Sequence, residues 1–109
     1  MLKAVFHRNG DDFCERFSEH FSGFEISGHA GYGTEGNDIV CAAVSSCTML
    51  VCNAVTENFK ADAEVKVEEN RITLRLRKYD KSAAELIAAL YEHIKAISED
   101  YGKVKVEIG

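Results

Sequence analysis

From Ile39 to Val55 the chain carries no charged side chain, and only Ser45, Ser46, Thr48 and Asn53 interrupt a run of apolar residues. Such a segment has to leave water, either in a bilayer or in a protein core. A membrane-spanning helix needs about 20 predominantly apolar residues. This run is shorter and is broken by polar residues, so it predicts a buried helix, from about Asp38 to Phe59, apolar nearly all round its first two turns and covered by its neighbours. The flanking segments must supply that cover, and they decide the fold class.

Leu2 to His7 alternate loosely between apolar and polar and run into Asn9-Gly10-Asp11-Asp12, a strand meeting a turn. Phe13, Phe17 and Phe21 recur every four residues, which fits one or two helical turns or an elaborated hairpin connection over Phe13 to Ser22. Phe24 to Ser27 reads as a second strand ending at Gly28. After the apolar helix, Ala63, Val65 and Val67 alternate with charged residues, as do Ile72, Leu74 and Leu76, with Glu69-Asn70 as the turn of a hairpin. Ser82-Ala83-Ala84-Glu85 has the form of a capping box opening a second helix. Its stripe of Leu86, Ile87, Leu90, Ile94 and Ile97 faces the core, Gly102 ends it, and Val104, Val106 and Ile108 form a last strand. The order β-β-α-β-β-α-β predicts an α+β two-layer sandwich, a mostly antiparallel sheet with two helices packed on one face. At 109 residues this is a single domain spanning 1–109, large enough for one core.

The formal net charge of -5 argues against a general nucleic-acid binder, because Lys and Arg are scattered among carboxylates and form no basic patch. The same charge favours basic partners. The sequence shows no basic leader followed by an apolar stretch, which points to a cytoplasmic protein with no membrane association. The four cysteines, Cys14, Cys41, Cys47 and Cys52, are then expected to be reduced thiols. None forms a C-x-x-C pair, so no metal site and no cofactor is expected. Cys47 and Cys52 lie in the apolar helix and read as core, and Cys14 as an incidental thiol.

Cys41 differs from these by its position. With Asn37 or Asp38 as N-cap it falls in the first turn of the helix, where unpaired N–H groups and the macrodipole favour an anion. A thiol reacts as the thiolate, and such a position can lower its pKa. His29, in the glycine-framed segment Gly28-His29-Ala30-Gly31, stands twelve residues earlier and is the candidate general base. Asp38 has two possible roles, helix cap or orienter of the imidazole, of which capping is the simpler. Ser45 lies one turn beyond Cys41 on the same face and could bond into the site or back to the helix carbonyls. The loop Gly31, Tyr32, Gly33, Thr34, Glu35, Gly36, Asn37 lacks the ending of a phosphate-binding loop and reads as a mobile flap. By residue type alone, a cysteine in an apolar helix is more often packing than nucleophile.

Ser27-Gly28-His29-Ala30-Gly31 followed by Gly36-Asn37-Asp38-Ile39-Val40-Cys41-Ala42-Ala43-Val44-Ser45 resembles the signature of the ribosomal-processing cysteine protease family, Prp or YsxB-like, and the likeness extends over the whole chain. The resemblance implies a cytoplasmic endopeptidase that removes a short N-terminal extension from a bacterial large-subunit ribosomal protein. It implies Cys41 as nucleophile, His29 as general base, Asp38 as a supporting residue, and the loop from Gly31 to Asn37 as a segment that orders over bound peptide. It further implies a homodimer whose substrate is a basic, unfolded N-terminal segment. The Asp11 to Ser22 stretch is longer than the tight connection usual in the family. Two other readings stay open: a noncatalytic ribosome-associated peptide-binding module, and a redox-sensing thiol protein built on Cys41.

Overall fold

The computed structural model describes residues 2–8, 21–28 and 37–109. Strand β1 (Leu2–Arg8) pairs antiparallel with β2 (Phe21–Ser27), and helix α1 (Asn37–Asn53) follows, prolonged by a π-helical turn over Ala54–Asn58. The hairpin of β3 (Ala63–Glu68) and β4 (Arg71–Leu76), helix α2 (Lys81–Tyr101) and β5 (Val104–Ile108) complete the chain. Among the described residues the order of strands and helices is the predicted one.

The five strands form one sheet in the order β3-β4-β2-β1-β5. Three neighbouring pairs are antiparallel, and β5 runs parallel to β1. The sheet is therefore mixed. The crossover through α2 is what permits the parallel pair, since parallel strands need a long connection.

Register places the apolar side chains on one face. Phe6 lies opposite Phe24 and Ile108, Phe24 opposite Leu74, Leu74 opposite Val65, and Ile26 opposite Ala4 and Ile72. Both helices cover this face, with Val40, Cys41, Val44, Val51, Cys52 and Val55 from α1 and Ala83, Ile87, Leu90, Ile94 and Ile97 from α2 joining one core. On the opposite face the exposed ion pairs Lys3–Glu107, Arg71–Glu25 and Arg75–Glu64 span neighbouring strands. Such pairs add little stability, but they keep an uncovered sheet face soluble.

Three expectations need correction. The second strand starts at Phe21, three residues before the expected Phe24, because the pairing shifts between His7 and Arg8: His7 faces Gly23 while Arg8 faces Phe21. The extra residue, Ser22, donates its hydroxyl to the His7 carbonyl at 3.3 Å. This bulge lets Phe21 and Phe24 share the core side despite their odd spacing, and Phe21 stacks with Phe6 and Tyr91. Phe13 and Phe17 lie outside the described residues.

Secondly, α2 is not opened by the Ser82–Glu85 box. Asp80 caps it, accepting a hydrogen bond from the Ala83 N–H at 2.9 Å with an extended backbone (φ -142°, ψ 117°). Gly102 closes the helix in the left-handed region at φ 68°, as expected. Replacing Asp80 by Ala is expected to cost about 1 kcal/mol in urea denaturation, whereas Ser82→Ala leaves the midpoint unchanged.

Thirdly, α1 is not covered all round. By length and composition its apolar segment is sufficient to cross a membrane, and its inner face is packed into the core. Its outer face is uncovered: Ile39 is 67% and Leu50 68% exposed, with Ala42, Ala43 and Ser46 exposed between them. Among the described residues no element lies on that side to bury them.

Candidate active site

β2 runs up to Ser27 and Gly28, and the β3–β4 hairpin turns at the same end of the sheet, at Glu69-Asn70. The Gly28 N–H donates to the Asn70 carbonyl at 3.1 Å, so the hairpin tip is fastened to the end of β2. Gly28 has φ 89°, a conformation that only glycine adopts at little cost. It thus turns the chain out of the sheet immediately before His29. A cleft lined by Ser27, Gly28, Glu68, Glu69, Asn70 and Arg71 opens at this junction.

Cys41 is the fifth residue of α1 and faces inward with 9% of its surface exposed. Cα–Cβ bonds in a helix tilt toward the N-terminus, so the thiol leans back toward the first-turn amides that lack helical partners. Cys41 sits where the core meets the surface; Cys52, at 2% exposure, is enclosed. Asn37 and Asp38 are the first two residues of the helix, and Ser45 is half-buried one turn after Cys41. His29 and the flap residues Gly31, Tyr32, Gly33, Thr34, Glu35 and Gly36 lie outside the described residues, as does any contact of His29 with Cys41 or Asp38.

The other thiols have a different character. Cys41, Cys47 and Cys52 are all unpaired. Burial is the largest influence on Cys47 and raises its pKa, while burial pushes the Cys52 thiol up to about 11. Neither is placed to act as a thiolate at neutral pH.

The sequence matches the family model of cysteine protease Prp over residues 1–106. The chain belongs to the cysteine protease Prp family. No curated protein sequence matches it. Among solved structures it is similar to the ribosomal processing protease Prp from S. aureus bound to a substrate peptide, at TM-score 0.84 and 17% identity with both chains fully covered. It is also similar to SMU.848 from Streptococcus mutans, at TM-score 0.76 and 24% identity, covering 100% of this chain and 96% of that one. These likenesses establish a common fold with the Prp structures, and the family match establishes the class, a cysteine protease.

Within the Prp fold, sequence reasoning missed the part played by the hairpin tip. Asn70 reads in the sequence as a turn residue only, and nothing in a linear pattern shows that its carbonyl holds Gly28. The signal available was Gly28 itself, a glycine closing a strand just before a candidate base.

Burial of the Cys52 thiol also makes stability depend on pH at the alkaline end. Below about pH 9 folded and unfolded states both hold the proton; between about 9 and 11 the unfolded chain loses it while the folded chain keeps it. Stability therefore falls across that window by roughly 2 to 3 kcal/mol. Urea denaturation at pH 8 and pH 11 is expected to show that loss in wild type, and a smaller loss in Cys52→Ala.

Proposed function

We propose that this protein is a cytoplasmic cysteine endopeptidase that removes the short N-terminal extension of a bacterial large-subunit ribosomal protein, supporting ribosome assembly. Cys41 is the nucleophile and His29 the general base. The observation that carries this reading is the match to the cysteine protease Prp family over residues 1–106, with Cys41 near the start of α1 and packed inward at the rim of the core. The likeness to the S. aureus ribosomal processing protease, a protein seen in complex with a substrate peptide, supports it.

The chemistry follows from those positions. His29 takes the thiol proton as Cys41 Sγ attacks the scissile carbonyl carbon, and the carbonyl oxygen becomes an oxyanion beside the first-turn amides of α1. The imidazolium returns the proton to the leaving amine, giving a thioester. Water, deprotonated by His29, then attacks the thioester carbonyl, the C–S bond breaks to release the N-terminal extension as its carboxylic acid, and the imidazolium returns the proton to Cys41. No cofactor enters these steps. Asp38 supports the site from the first turn, Ser45 lines it from the next, and the flap from Gly31 to Asn37 closes over bound peptide.

The substrate in this reading is basic and unfolded, and a chain of net charge -5 attracts it. A homodimer is part of the same proposal, supported by the uncovered stripe of Ile39 and Leu50 along α1. The test is incubation of reduced wild-type protein with a peptide copying the N-terminal extension of the organism's own ribosomal protein. Cleavage at a single bond is expected. Tight binding of that peptide without cleavage would instead favour a peptide-binding module.

A further inference from the structure

β3 is an outer strand of the sheet, and one end of its free edge is closed. The Arg77 N–H donates to the Asp62 carbonyl at 2.9 Å, and Asp62 and Arg77 stand opposite each other in the register of the hairpin. In an antiparallel ladder the bonded pairs alternate. Glu64, Lys66 and Glu68 therefore direct their backbone groups to β4, while Ala63, Val65 and Val67 direct theirs outward. The Arg77 guanidinium agrees with this phase, because it reaches the edge and donates to the Ala63 carbonyl at 3.3 Å while pairing with Asp62 at 3.0 Å.

Arg77 thus closes the end of the edge remote from the site. Toward the site nothing among the described residues covers it, and Val67 is 60% exposed. Natural sheets blunt such an edge with charged side chains, bulges or a covering segment. β3 carries Glu64, Lys66 and Glu68 on one face, which keep it from pairing freely with other copies but leave the backbone groups of Val65 and Val67 open. Here the open part ends at Glu68, which lines the cleft shared with Gly28 and the hairpin tip.

We infer that the outward backbone groups of Val65 and Val67 pair with the substrate peptide, which adds as a sixth strand and is led along β3 into the cleft at Gly28. This rests on the peptidase reading above and names the surface that reads the peptide. Main-chain bonds to Val65 and Val67 hold an extended segment whatever its sequence. Alternate side chains of the peptide then lie over the apolar face of Val65 and Val67 and over the charged face of Glu64, Lys66 and Glu68. The occupant is therefore an unfolded peptide with alternating apolar and polar residues beside the scissile bond.

The test is amide hydrogen exchange on ¹⁵N-labelled Cys41→Ala protein, with and without the ribosomal-extension peptide, alongside cleavage by wild type and Val67→Pro. Proline is tolerated on an edge where its missing N–H faced outward. Slowing of the Val65 and Val67 amides on peptide binding, with Lys66 unchanged, is expected, and Val67→Pro is expected to lose roughly tenfold in kcat/KM, about one backbone hydrogen bond. Cleavage by wild type with no slowing at Val65 and Val67 would overturn the inference and leave the peptidase reading standing. Slowing that appears without peptide and grows with protein concentration would also overturn it, assigning the edge to a second copy. Absence of both binding and cleavage would end both readings. The exchange measurement decides the matter even if Val67→Pro does not fold.

Discussion

Cys41→Ser is expected to lower kcat/KM for the ribosomal-extension peptide by roughly 10³-fold or more, the scale on which removing a nucleophile acts. Oxygen replaces sulfur at nearly the same place, so the loss is chemical and the fold is kept. A hydroxyl is far less acidic than a thiol, and one imidazole does not compensate for that difference. The peptide's Kd should stay within a factor of a few of wild type, because the strand-pairing surface and the cleft are untouched. His29→Ala is expected to fall by about 10² to 10⁴, and Cys47→Ser to remain near wild type. A Cys41→Ser protein that cleaved at the wild-type rate would remove Cys41 from the mechanism.

The largest expected effect on stability comes from Gly23→Ala. Gly23 sits in β2 between His7 of β1 and Arg75 of β4. A Cβ built there would meet the Leu74 carbonyl oxygen at 2.3 Å, well inside van der Waals contact, and the obstacle is backbone in the middle of the sheet. β2 and β4 would have to separate, loosening the Phe24–Leu74 and Ile26–Ile72 pairs on the core face. A loss of about 2 to 4 kcal/mol in urea denaturation is expected, within the range of overpacking and close-approach mutations. Because β2 also delivers Gly28 and His29, activity at elevated temperature should fall with it. An unchanged denaturation midpoint would show that the two strands can part at no cost.

The elements most legible in the sequence were those with local causes. Alternation gave β3 and β4, a period of 3.6 gave α2, and Gly102 stopped α2 where a left-handed residue was needed. Phe21 was hidden because the bulge at Ser22 breaks the two-residue period on which strand reading depends. Asp80 was passed over because Ser82 and Glu85 satisfy a spacing rule, and spacing does not report which residue has extended backbone angles. The parallel pairing of β1 with β5 joins the two ends of the chain, and no local pattern encodes it. Ile39 and Leu50 show a further limit: periodicity marks an apolar face but does not tell whether the same chain covers it. For the site, Cys41, His29 and Asp38 stood in one motif. The fastening of Gly28 to Asn70 and the open edge at Val67 became visible only once register and strand order were known.

Active-site labelling tests the central claim most directly. The reagent is a peptide copying the acyl side of the cleaved bond and ending in a chloromethyl ketone, and the labelled protein is mapped by mass spectrometry after digestion. Cys41 alone is expected to carry the adduct, with Cys14, Cys47 and Cys52 unmodified, and uncleaved substrate peptide should slow the labelling. Labelling of another cysteine in preference to Cys41, or none at Cys41 in folded, reduced protein, would contradict the account.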